Sequence, residues 1–171
     1  ISGDNILDES VNNYIVSVLK KDNNFGISSV DVTTGEFLVL SLKESDERKV
    51  LDELAKFNPA EVILNSEAEC LKKSIGEIFN IKPETFFDWA FDFNNANNKL
   101  CEHFKTLNLN GFGLGESKQD KFCIMAAGAL LEYLSQLQKD FQPQITSIKK
   151  YFNNNFMMID ISSRKNQIGR A

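Results

Sequence analysis

Three β-type segments follow one another between residues 14 and 40, and nothing else in the chain narrows the fold as much. Tyr14-Ile15-Val16-Ser17-Val18-Leu19 is apolar on both faces, the pattern of a central strand covered from two sides. A polar turn over residues 20–24 separates it from Gly26-Ile27-Ser28-Ser29-Val30-Asp31-Val32. Thr33-Thr34-Gly35 then supplies a tight reversal, with a glycine free to take positive φ, and Glu36-Phe37-Leu38-Val39-Leu40 returns. Segments this short and this close can pair only as an antiparallel meander.

The apolar period then changes. Val50, Leu51, Leu54 and Phe57 recur at helical spacing, Asp46 and Glu47 sit where a helix dipole favours acids, and Asn58-Pro59 ends the segment. Glu61 to Asn65 reads as a short buried strand, and Ala68, Leu71, Ile75 and Ile78 line one face of a second helix. Residues 81–87 form a further candidate strand. Ala96, Leu100, Phe104 and Leu107 make a third helical stripe over residues 95–107, followed by the glycine-bearing loop of residues 110–115. Ser117 with Asp120 is an S-x-x-D start signal for a long helix over residues 121–139, closed by Pro143. The small residues Ala126, Ala127, Gly128 and Ala129 allow another backbone to approach this helix, which is expected to lie directly on the sheet. The order β-β-β-α-β-α-β-α-α predicts an α/β fold with a mixed sheet. The meander is extended by parallel strands through right-handed crossovers, with helices on both faces, as in a ribonuclease-H-like fold.

Length and charge set further bounds. With 171 residues the chain suits one buried core plus a tail. No apolar run approaches the roughly 20 residues that cross a bilayer, so no membrane partner is expected and a cytoplasmic setting is the default. Net charge is −5, yet residues 142–171 carry five bases against Asp160 alone, leaving the body at −9. An acidic body is poorly suited to neutralising DNA phosphates. Residues 1–11 read as an entering linker. The closing run Phe156 to Asn166 is an apolar strand running into a basic helix start, so the chain is expected to be a piece of a longer protein.

The carboxylates are the first test of chemistry. Two-metal cleavage of phosphodiesters needs several acids converging on ions about 4 Å apart, with an anchor acid in the first strand. Tyr14 to Leu19 holds none, and the strand after the first helix ends in the uncharged Asn65. Glu53 and Asp31 are the remaining candidates for a divergent metal-dependent nuclease, the alternative reading. Gly111, Gly113 and Gly115 match neither phosphate-loop spacing, since Glu116 stands where the last glycine would be, and read as a helix-to-helix turn. Cys70, Cys101 and Cys123 are unpaired in spacing and read as buried small hydrophobes, and the single His103 cannot build a zinc site. Phe86-Phe87-Asp88-Trp89-Ala90-Phe91 resembles a base-stacking platform without the flanking bases that one needs. It reads as packing, with a protein partner to be suspected if Trp89 is exposed.

Six stretches, in order, resemble the connector domain of the MutS mismatch-repair ATPases. They are Asn12-Asn13-Tyr14-Ile15, the hairpin Asp31 to Phe37, Asn58-Pro59-Ala60-Glu61-Val62-Ile63-Leu64, Gly111-Phe112-Gly113-Leu114, the helix Ala126 to Leu134, and Ile159 to Asn166. The resemblance implies a ribonuclease-H-like connector over residues 12–145, with residues 146–171 opening the lever domain that follows. It implies no catalysis and no cofactor in this piece, ATP and magnesium being bound elsewhere in the parent. The implied role is to carry ATP-dependent rearrangement from the mismatch-reading domain to the lever, clamp and ATPase domains, and to dock a MutL-type partner. Mismatched DNA would be met through the parent, which is expected to be a homodimer while the piece is a monomer. On the third helix, Asn97, Asn98, Lys99, Glu102 and Lys105 are left outward by the buried stripe, and the resemblance puts the partner-facing segment at Asn98 and Lys99.

Overall fold

The computed structural model describes residues 13–137 and 144–151; the expected linker, Pro143 and the closing strand and helix start lie outside them. Strands β1 (Tyr14–Lys21), β2 (Asn24–Asp31) and β3 (Phe37–Leu42) form the meander, paired antiparallel from Tyr14↔Asp31 to Lys21↔Asn24 and from Val30↔Phe37 to Phe25↔Leu42. The first hairpin is tighter than the polar turn suggested. Lys20 and Lys21 stay in the strand, and Asp22 takes a left-handed φ of 59°, as short hairpin loops require. Contacts from far along the chain hold it there: Asn65 Oδ1 accepts from the Lys20 N–H, its Nδ2 donates to the Lys20 carbonyl, and Glu67 accepts from the Asp22 N–H. Gly35, at φ 84°, closes the second hairpin, donating its N–H to the Asp31 carbonyl.

Helix α1 (Glu47–Phe57) starts on Asp46, whose carboxylate accepts from the Lys49 N–H, and stops at left-handed Asn58. It buries Val50, Leu54 and Phe57. Strand β4 (Glu61–Leu64) runs parallel to β1, a 3₁₀ turn spans Ser66–Leu71, and α2 (Lys72–Phe79) follows. Ala68, Leu71 and Ile75 are buried, but Ile78 is exposed. At the end of α2 it is Phe79, followed by Ile81, that packs partly against this core in place of Ile78. The candidate strand over residues 81–87 shrinks to β5 (Glu84–Thr85), because Pro83 can offer no N–H to a ladder. Sequence reading missed α3 (Asp88–Phe91). Helix α4 (Phe93–Phe104) begins on Asp92, which accepts from the Asn95 N–H, and ends at left-handed Lys105. Leu107, expected on its buried face, lies beyond that stop and is almost fully exposed.

Helix α5 (Asp120–Leu137) is the long helix, and β6 (Lys149–Lys150) returns to pair parallel with β3. The sheet order is β5-β4-β1-β2-β3-β6, with the meander antiparallel and every other pairing parallel. One face of the sheet shares a core with α3, α4 and α5, the other with α1 and α2. Alternation along β2 puts Gly26 and Ser28 toward α5, with Ser17 of β1 opposite Ser28. These small residues let the helix sit close: a Cβ on Gly26 would collide with the Phe122 backbone, and one on Gly128 with the Ala96 backbone of α4. The expectation that α5 lies directly on the sheet holds for this reason.

The Ser117–Asp120 signal marks where α5 starts, but the two side chains do not cap it reciprocally. Ser117 Oγ accepts from the Gln119 N–H, while Ser41 of β3 accepts from the Cys123 N–H and donates to the Gln119 carbonyl. Asp120, buried, accepts from the Gly115 N–H at 3.0 Å and pairs with Lys150 at 3.1 Å. Residues 146–151, expected to open the following segment, take part in this sheet: Ile148 and Tyr151 are buried, and the Tyr151 N–H donates to the Val39 carbonyl.

Candidate partner-docking face

The two residues assigned to a partner, Asn98 and Lys99, lie on α4 where it crosses α5. The Gly128–Ala96 approach sets how near the two helices come. Asn98, Glu102 and Lys105 are exposed as expected, but Asn97 and Lys99 are half-buried. Lys99 leans across onto α5, with its Nζ 3.1 Å from Glu132 and 3.4 Å from Ser135 Oγ. Gln136 donates to the other oxygen of Glu132 at 3.0 Å. Burial works to raise the Glu132 carboxyl, but hydrogen bonds from Gln136 and Lys99 and the Lys99 charge together bring it below the usual range. Lys99 is thus a strut between helices, and Asn98 is the outward member of the pair.

A shallow groove joins these residues to the α3 segment; Trp89, Asn95, Asn98, Lys99, Glu102 and Glu132 line it. At its end Trp89 is 52% exposed and Phe87 55% exposed, their rings stacked at 5.8 Å and 18°. Phe93, the first residue of α4, is 38% exposed. The run Phe86–Phe91 is therefore split: Phe86 and Phe91 turn inward, and Phe87 and Trp89 do not. Exposure of Trp89 is the observation that was to point toward a protein partner.

The other candidates are not drawn together. Asp31 caps its own hairpin, accepting from the Thr33 N–H at 2.8 Å. Glu53 is buried on α1, 3.2 Å from Lys56; burial raises its carboxyl, with Lys56 acting in the opposite direction. Among the described residues, no three His, Cys, Asp or Glu side chains stand close enough to share a metal ion. In the glycine loop, Gly113 and Gly115 take positive φ between α4 and α5, as a helix-to-helix turn would. His103 sits against the Ile145 carbonyl at 2.7 Å. Cys101 and Cys123 are buried, but Cys70, read as a buried hydrophobe, is exposed because the 3₁₀ turn points it away from the core that Ala68 and Leu71 enter. No helix among the described residues is long and apolar enough to cross a membrane.

A contact that sequence reading missed ties the two ends of the described domain. The Tyr14 ring, at the start of β1, packs edge-on to Phe57 at 5.1 Å, and Tyr151, after β6, packs edge-on to the same ring at 5.5 Å. Tyr151 is fully buried there, beside Glu53, and both burial and that carboxylate drive its phenol well above the usual value.

The family model described as MutS domain II matches residues 13–149. Among curated relatives, the DNA mismatch repair protein MutS of Lachnoclostridium phytofermentans is 38% identical over 163 residues, covering 94% of this chain and 17% of that protein. The proteins of the same name from Ruminiclostridium cellulolyticum and Acetivibrio thermocellus are 36% and 35% identical, each over 94% of this chain and 18% of the relative. The chain thus spans about a fifth of the length of the relatives it matches. With a match that covers β1 to β5 and reaches the first residue of β6, the chain belongs to the MutS domain II family.

Proposed function

We propose that this domain is a non-catalytic, ribonuclease-H-like connector of a MutS-type mismatch repair ATPase. In this reading it carries ATP-dependent rearrangement between the mismatch-reading domain and the lever, clamp and ATPase domains, and offers a docking face to a MutL-type partner. A linker at 1–11 precedes the body of residues 12–145, and residues 146–171, of which 146–151 pack onto the sheet, lead into the lever. ATP, magnesium and mismatched DNA are bound by other parts of a homodimeric parent.

The observation that carries the reading is mechanical. Chain entry at Tyr14 and chain exit at Tyr151 rest on one ring, Phe57, inside a sheet covered on both faces. Close-packed interiors transmit displacement instead of absorbing it, so a pull on either flank reaches the other through Phe57. The strand order, with parallel strands added on both sides of a meander, supports the ribonuclease-H-like assignment. The docking assignment rests on Asn98, exposed on α4 beside the Trp89 groove.

The test uses the full-length protein that carries this domain. Phe57→Leu keeps an apolar side chain but removes the bridge; mismatch binding and ATP hydrolysis should each persist while ATP-driven release from the mismatch slows. Asn98→Arg should weaken capture of the MutL-type protein in the presence of ATP and a mismatched duplex. Coupling and capture at wild-type levels in both variants would refute the reading.

A further inference from the structure

Phe87 and Trp89 are not loose side chains on a mobile loop. Asp88 accepts from the Ser66 N–H at 2.9 Å and from the Ser66 hydroxyl at 2.6 Å, and Asn95 donates to the Trp89 carbonyl at 2.9 Å. Phe86, between the sheet and the surface, stands edge-on to Tyr133 of α5 at 5.3 Å and against Phe87 at 5.2 Å. The segment that carries the two exposed rings is therefore held from both sides, and the rings brace each other through their stack. Binding to a held ring loses little conformational freedom, which is what separates an anchor from an incidental exposed aromatic.

The charge around the rings selects the occupant. Asp88 and Asp92 spend their hydrogen bonds on neutral donors, and Glu102 is exposed on the groove wall. Among the described residues none of the three is in an ion pair, whereas the one lysine of the groove, Lys99, is already paired with Glu132. A nucleic acid strand would meet stacking rings inside a negative rim, which phosphates disfavour. A guanidinium or ammonium on an apolar segment meets both a ring face and a carboxylate.

We propose that the Phe87–Trp89 stack and the groove leading to Glu102 are the anchor pocket for an Arg- or Lys-bearing apolar segment of the MutL-type partner. This rests on the docking reading above and adds to it the anchoring residues and the chemistry of the partner segment. Lys99 acts as a positioning residue that holds α4 on α5 through Glu132.

The experiment measures affinity of the full-length protein for the MutL-type protein of the same genome, with ATP and a mismatched duplex present. The variants are Trp89→Ala, Phe87→Ala and Glu102→Lys, all at exposed side chains. Trp89→Ala should weaken binding at least ~10-fold, as loss of an aromatic anchor does. Glu102→Lys should weaken it by several-fold, more so at low salt. Wild-type affinity in all three variants overturns the anchor while leaving docking at Asn98 standing; failure of the unmodified protein to bind overturns the docking reading and this inference with it. Loss of self-association or of oligonucleotide binding in Trp89→Ala, with MutL-type affinity unchanged, assigns the pocket to another occupant and also overturns it.

Discussion

Replacing Gly128 with alanine sets two effects of opposite sign against each other. In the middle of a helix alanine is favoured over glycine by ~1 kcal/mol, so on propensity alone Gly128→Ala stabilises α5. The added methyl, however, would collide with the Cα, Cβ and carbonyl oxygen of Ala96. These are main-chain neighbours and a methyl fixed to one, so no rotamer change relieves the overlap. To regain ordinary contact α4 must withdraw by roughly an ångström, opening the seam that buries Ala96, Leu100 and Cys101. Overpacking of this kind costs about 1–3 kcal/mol, and a rigid backbone neighbour puts the cost at the upper end, near 3 kcal/mol. The net expectation is about 2 kcal/mol of lost stability, or a fall in Tm of roughly 5–10 °C for a domain of this size. Urea unfolding followed by far-UV circular dichroism measures it, with Gly111→Ala as control because nothing stands within 4 Å of a Cβ there. A Gly128→Ala protein as stable as the parent chain, or more so, would refute the claim that backbone contact fixes α4 on α5 and with it the position of Asn98 and Lys99.

Asp120→Ala removes both the acceptor for Gly115 and the partner of Lys150, and should cost about 2–3 kcal/mol; Asp120→Asn, which keeps an acceptor, should cost less. Amide exchange at Tyr151 should quicken in both, and unchanged urea midpoints would count against the Asp120–Lys150 pair as a support of β6. Glu53 has a carboxyl raised chiefly by burial from the ordinary 4.5, so the folded state holds its proton to higher pH than the unfolded chain does. Its contribution is therefore most favourable below that ordinary value and is lost as pH rises through the folded one. The difference in unfolding free energy between Glu53→Gln and the parent chain should thus grow in favour of the variant across that window; a difference independent of pH would contradict it. Thiol labelling of the native chain should mark exposed Cys70 first, while Cys123, buried and pushed up to about 11, should react only on unfolding; equal rates for the two would disprove the burial assignment.

The meander, α1 and α5 were legible from signals local to each: apolar runs broken by turn residues for the strands, a helical stripe ended by Asn58 for α1, and the Ser117–Asp120 start with a run of small residues for α5. Around the docking face legibility fell. The end of α4 depended on Lys105 taking a left-handed φ, which a lysine does not announce, and α3 is too short to show a period. Whether Phe87 and Trp89 faced inward or outward could not be read from their own neighbours, because Phe86 and Phe91 of the same run are the ones turned to the core.

By itself, the order of amino acids determined the class of the fold, the small-residue face of α5 and the family, since these depend on patterns within a segment or on motifs in series. Tertiary structure alone decided the rest. Ser41 caps a helix 82 positions away, Asn65 holds the turn of β1, Lys99 turns inward to Glu132, and Phe57 joins the two ends of the domain. In each case a polar or aromatic group is satisfied by a partner that chain folding brings near, and local periodicity carries no record of partners that are distant in the chain.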